Sequence, residues 1–100
     1  MKAHHRAQAS NRQQLFRLRF RLNVARLRSV ADTKLQEHWT FWQEHHVNRE
    51  MIEYTLHNLM HDEQRKDPFN IDWRVTSEEL DTLARQAYDG WQSKTKEGPI

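Results

Sequence analysis

From Val24 onward, apolar residues fall on one helical face. Leu27, Ala31, Leu35, Trp39 and Trp42 follow one another at intervals of four, four, four and three, the repeat of a helix with one buried side. Val30 and Phe41 widen that face, while Asp32, Lys34, Gln36, Glu37 and Glu44 fall on the other side. The preceding run, LFRLRFRLNV over residues 15–24, reads two ways. Phe16, Leu18, Phe20, Leu22 and Val24 alternate with Arg17, Arg19, Arg21 and Asn23, which is the period of a half-buried strand. Wound as a helix, the same residues make two apolar stripes separated by two arginine stripes. No second strand is available for pairing, and a two-stranded piece would be marginal on its own. The pattern therefore predicts a helix over about 15–45, with apolar residues on two sides, suited to insertion between two partners.

His46-Val47-Asn48 predicts a break. Asn48 is a good N-cap, Glu50 suits the first turn of a new helix, and Val47 is placed to staple onto Ile52. A second helix over 49–64 is expected to bury Met51, Ile52, Leu56, Leu59 and Met60. Pro68 disfavours helix at Asp67, so residues 65–76 form a loop whose Phe69, Ile71 and Trp73 alternate with polar residues and lie across the helices. Thr76-Ser77-Glu78-Glu79 is a capping box. It opens a third helix over 77–93 with Leu80, Leu83, Ala84, Ala87, Tyr88 and Trp91 on one stripe. The expected fold is all-α: a helical hairpin and a third C-terminal helix in one domain over 15–97, preceded by a flexible basic arm over 1–14.

Composition changes this picture in one respect. Only 36% of the 100 residues are hydrophobic, below the roughly 45–50% of an ordinary globular domain. The core is thin, and much of its burial falls to four Trp, four Phe and two Tyr. Such a chain is suited to completion by a larger assembly. Leu27, Leu35, Trp39, Phe41, Trp42, Ile52, Leu56, Trp73, Leu83 and Trp91 are the expected core and interface residues. With no cysteine, disulfides, thiolate metal sites and cysteine nucleophiles are excluded. No run approaches the roughly 20 apolar residues that cross a bilayer, and two Gly and two Pro are too few to punctuate an all-β fold.

Charge is divided unevenly. The first thirty residues carry eight cations and no acid, whereas the remaining seventy carry eight basic and fourteen acidic groups. Arg12, Arg17, Arg19, Arg21, Arg26 and Arg28 are the expected anion- or partner-binding residues. They suit the phosphates of RNA, an anionic lipid surface or an acidic protein alike. An arginine-rich, acid-free N-terminus with Ala and Ser also has the composition of a mitochondrial transit segment, which would then have to be retained, and equally that of a solvated tail of no consequence.

No pattern points to catalysis or to a cofactor. There is no glycine-rich phosphate loop, nucleophile elbow or paired carboxylate. Glu53, His57 and His61 share a helical spacing that can bind a divalent metal if a fourth ligand arrives. Asn58 stands where the HExxH motif has its general base, and exposed histidines are the expectation. His38, His45 and His46 form a second imidazole group at the end of the first helix, where they complement its dipole. Trp39-Thr40-Phe41-Trp42 offers a stacking platform for bases. Because Trp39 and Trp42 extend the stripe begun at Leu27, packing is the expected role.

Leu27 and Arg28 in a basic helix, Phe41-Trp42 at its end, then Glu50 and Ile52, and Glu78-Glu79-Leu80 opening a last helix together form a recognisable order of parts. Over about residues 18–92 this order resembles the mitochondrial apoptogenic-protein family, also described as cytochrome c oxidase assembly factors. Glu37 stands at that family's upstream tryptophan position, with Trp39 displaced. The resemblance implies a small, helical, non-catalytic accessory or assembly subunit of a mitochondrial inner-membrane respiratory complex, in the matrix or at the matrix face of that membrane. A small RNA-contacting protein of the mitochondrial ribosome and a metal-binding helical protein are the alternative expectations.

Overall fold

Leu27, Ala31 and Leu35 are completely buried, because two further helices pack onto the stripe they form. The computed structural model describes residues 2–66 and 74–96, with side chains over 11–66 and 74–95. Its elements are α1 (Lys2–Glu44), α2 (Arg49–Arg65) and α3 (Ser77–Lys96), each in contact with both others. The fold is all-α, a hairpin of α1 and α2 with α3 as the third helix. Among the described residues there is no strand, and the arginine-alternating run over 15–24 is helical.

α1 differs from expectation at its start. It begins at Lys2 and not near residue 15, so the flexible arm expected over 1–14 is replaced, from residue 2 onward, by helix. The physical reason is composition: Ala3, Ala7, Gln8, Ala9, Arg12, Gln13 and Gln14 are good helix formers, and no Gly or Pro interrupts them. Once a helix is nucleated downstream, each added residue extends it at small cost. At about 1.5 Å per residue, 43 residues span about 64 Å, which matches the long dimension of the molecule, 64 × 31 × 19 Å. The radius of gyration, 17.6 Å, exceeds the roughly 13 Å of a compact 100-residue domain. The first half of α1 therefore projects beyond the three-helix body.

The body is closed by a core of Leu27, Ala31, Leu35, Ile52, Leu56, Met60, Val75, Leu80, Leu83, Ala84, Ala87 and Tyr88. Three of these core residues are alanines, Ala31 on α1 and Ala84 and Ala87 on α3. Phe20, Val24, Trp39, Trp42, Val47 and Trp91 pack around this core, partly buried. On α2 the buried stripe is Ile52, Leu56, Met60 and Gln64, four apart throughout. Met51, expected inside, falls off that stripe and is exposed.

The elbow forms as its residues dictate. α1 ends in a Schellman arrangement: the Val47 N–H donates to the Trp42 carbonyl at 3.0 Å and the His46 N–H to the Gln43 carbonyl at 3.2 Å. His46 takes the left-handed conformation, φ 53°, that this motif assigns to its C′ residue. Asn48 then caps α2, its side-chain oxygen accepting from the Met51 N–H at 2.9 Å. At the head of α3, the Glu79 N–H donates to Thr76 Oγ1 at 3.2 Å and the Thr76 N–H to Glu79 Oε1 at 3.4 Å, the reciprocal capping box. Phe69, Ile71 and Trp73 lie outside the described residues.

A buried polar node fixes the register of these elements. Gln64, 2% exposed, accepts from the Val75 N–H at 2.7 Å and donates to the Val75 carbonyl at 2.9 Å. Asn23 of α1, 5% exposed, donates to the same Gln64 oxygen at 3.1 Å. Its own oxygen accepts from Arg26 Nη2 at 3.0 Å. One amide side chain thus ties together α1, α2 and the segment entering α3.

Two outcomes follow for urea denaturation. Gln64→Leu strands both main-chain groups of Val75 and the Asn23 amide in the interior and loses about 3 kcal/mol, whereas Asn23→Leu leaves both Val75 groups paired with Gln64 and loses less, about 1 kcal/mol. Equal losses would show that the node does not centre on Gln64. His46→Gly removes the left-handed penalty on a side chain and raises stability by roughly 0.5–1 kcal/mol.

Candidate interaction surface

Among the described residues, the outer half of α1 gathers four of the seven exposed large apolar side chains, with Phe41, Met51 and Tyr54 exposed near the elbow. Leu15, Phe16, Leu18 and Leu22 are 47%, 46%, 53% and 61% exposed, on a stretch where Arg12, Arg17, Arg19 and Arg21 are exposed as well. Helical geometry sorts them into four sectors. Phe16 and Phe20 continue the core stripe outward from the body. Leu15, Leu18 and Leu22 form a second stripe on the opposite side, followed by exposed Ala25 and Ser29. Arg12, Arg19 and Arg26 run along one border of the leucine stripe, and Arg17, Arg21 and Arg28 along the other. The two apolar stripes separated by arginines expected from sequence are present, on the part of α1 that lies outside the body.

The two innermost arginines are committed to the body. Arg26 Nη1 lies 3.9 Å from Glu63 Oε1 on α2. Arg28 pairs with Asp32 at 3.2 Å and donates to the Gln86 carbonyl of α3 at 3.2 Å. Gly90 leaves room for that crossing: a Cβ there would stand 3.1 Å from Arg28 Nη2. Beside it a cleft of about 310 Å³ is lined by Asp32, Thr33, Gln36, Trp91 and Lys94. Its Arg28–Asp32 pair is neutral overall, and Lys94, the other charged residue of the lining, holds its Nζ 5.4 Å above the Trp91 ring. The buried Trp91 Nε1 has no acceptor among the described residues.

The elbow end carries a second cluster, which binds the body together. Arg49 Nε donates to Glu53 at 2.9 Å, and Nη2 reaches Asp89 of α3 at 2.7 Å. Its guanidinium lies 4.6 Å above the Tyr88 ring, and Tyr88 meets Trp39 of α1 edge-on at 5.5 Å. The hydrogen bond to Glu53 leads the interactions that hold the Arg49 pKa above its usual value. Sequence reading passes over Arg49, Asp89, Asn23 and Gln64. For Gln64 a signal exists: it stands four residues after Met60, where the stripe calls for an apolar residue.

The structure gives the candidate metal residues other partners. Glu53 is held by Arg49. His57 Nδ1 approaches Asp81 Oδ1 of α3 at 2.6 Å without the alignment of a hydrogen bond, and its ring stacks on His61 at 6.4 Å. Among the described residues no group of three His, Asp or Glu is arranged to hold a metal ion. The expected core residues Leu27, Leu35, Ile52, Leu56 and Leu83 are buried, with Trp39, Trp42 and Trp91 partly so. Phe41 is the exception. It is 55% exposed and packs on His45 at 4.2 Å, because the α1 stripe drifts around the helix and leaves it outside. Trp73 lies outside the described residues.

Among the described residues no helix is long and apolar enough to cross a membrane. Comparison with protein-family models, curated proteins and solved structures gave no match to this chain.

The two halves of α1 are expected to respond differently to substitution. Leu27→Ala opens a cavity in the body and costs about 2–5 kcal/mol in urea denaturation. Leu22→Gln, five residues away but outside, changes stability by no more than about 0.5 kcal/mol. A comparable loss from Leu22→Gln would mean that the outer leucines already pack within the free chain.

Proposed function

We propose that this chain is a non-catalytic accessory or assembly subunit that docks into a larger complex through the outer half of α1. The observation that carries this reading is the exposure of Leu15, Phe16, Leu18 and Leu22 on a cationic helix projecting beyond its own three-helix body. Exposed apolar residues gathered on one element signal an interface, and arginine and aromatic side chains are the groups that contribute most where proteins meet. The body supplies a rigid base: buried leucines and the Gln64 node fix α1, and the Arg49 cluster fixes the elbow.

The resemblance to mitochondrial assembly factors supports a respiratory complex, at the matrix face of the inner membrane, as the assembly in question. In that setting the arginines face an acidic partner or anionic lipid.

Mild-detergent purification of the tagged full chain from mitochondria, followed by native gel separation and mass spectrometry, tests this. Co-migration with respiratory subunits is expected, and lost in the Leu18→Gln/Leu22→Gln variant. Migration of the wild-type chain alone overturns the accessory role, and co-sedimentation with ribosomes transfers it to the ribosomal alternative.

A further inference from the structure

We infer that the outward stripe of α1 is a coiled-coil seam and that its partner is an acidic amphipathic helix. The inference rests on the docking role proposed above and names the chemistry of what docks. Leu15 and Leu22 stand seven apart with Leu18 between them, and Ala25 and Ser29 continue the spacing of three and four. These are the a and d positions of a heptad, with Leu15, Leu22 and Ser29 at a, and Leu18 and Ala25 at d. The flanking positions are then fixed. Arg12, Arg19 and Arg26 occupy successive e positions, and Arg21 and Arg28 occupy g.

In a coiled coil the e and g side chains border the seam and select the partner by charge. With arginine at these sites, a second copy of this chain is disfavoured in either orientation. A parallel pair sets Arg21 against the partner's g-to-e neighbour, and an antiparallel pair sets e against e and g against g. Glutamate or aspartate at the partner's e and g positions satisfies the same sites. Arg26 and Arg28 also contact Glu63 and Asp32 within the body, and Arg12 and Arg21 are the e and g positions that the test below addresses.

The shape of the stripe separates this partner from the other anionic ones. Helices lying in a membrane surface present a broad apolar face. Here the leucines span an arc of only about 60°, with arginines close on one border and Phe16 exposed on the far side. RNA would engage the arginines and leave the three leucines in water. A helix with its own a and d residues covers them. The seam holds about one and a half heptads of apolar residues, which makes this a short, reversible contact whose strength depends on the charges beside it.

The test uses the purified full chain and four labelled probes, with binding read by fluorescence anisotropy. The probes are a synthetic helix with Leu at a and d and Glu at e and g, the same helix with Lys at e and g, vesicles of anionic phospholipid, and a single-stranded RNA. Preferential binding to the Glu helix is expected. Leu18→Gln/Leu22→Gln should weaken it roughly 100-fold, as loss of two buried leucines implies. Arg12→Glu/Arg21→Glu should transfer preference to the Lys helix. These positions lie outside the body, so circular dichroism and urea denaturation should show it intact in both variants.

Tighter binding to vesicles or RNA than to the Glu helix, or binding indifferent to the leucine substitutions, overturns the inference. The docking role is judged separately. A wild-type chain recovered with its assembly, but equally well recovered as the leucine variant, sinks the seam and leaves the subunit role standing. A chain recovered alone that still prefers the Glu helix does the reverse.

Discussion

The controlling constraint is a mismatch of lengths. α1 has 43 residues, while α2 and α3 have 17 and 20. At about 1.5 Å per residue the two shorter helices reach only about 25–30 Å, so they cover less than half of the first. Where they cover it, Leu27, Ala31 and Leu35 are fully buried; where they do not, Leu15, Leu18 and Leu22 meet water. An isolated helix is marginal in water without a packed face. The outer half of α1 gains its helicity from propagation and its purpose, on the reading proposed here, from a surface that the chain itself does not contain.

The body holds that half-helix in place with few apolar residues and a small number of well-placed polar ones. Gln64 substitutes a side-chain amide for a strand partner at Val75 and also receives Asn23. The node determines how far along α1 the other two elements sit, and hence where the exposed part begins. Arg49, Tyr88 and Trp39 make the same three-helix connection at the opposite end. Buried hydrogen-bonded groups of this kind contribute less to net stability than to the uniqueness of the packing, because a shifted register leaves them unsatisfied.

Much of this was legible in the residues. The period from Leu27 to Trp42, the Asn48 cap and the Thr76 capping box located the end of α1 and both ends of α2 and α3 to within a few residues, since each is a local signal. The start of α1 was not legible in the same way: residues 2–14 contain no apolar residue larger than alanine, so the apolar pattern is silent, and only the absence of helix breakers speaks for helix. Phe41 and Met51 show the limit of spacing arguments. Both sit beside a genuine stripe, and which neighbour turns inward depends on how three helices cross. The Arg49 and Gln64 contacts join residues 40 and 11 apart, distances over which a one-dimensional pattern carries no geometry. For the outer surface the sequence was more direct: the leucine and arginine sectors follow from helical spacing alone.

Hydrogen exchange read by mass spectrometry, on the free chain and on the chain within its recovered assembly, tests the docking role of α1 most directly. If the outer half of α1 waits for a partner, amides over 11–22 exchange much faster in the free chain than those over 27–42. In the assembly they then become protected by at least about tenfold, while the body changes little. Identical protection of residues 11–22 in both states, or new protection confined to α2 and α3, would contradict it.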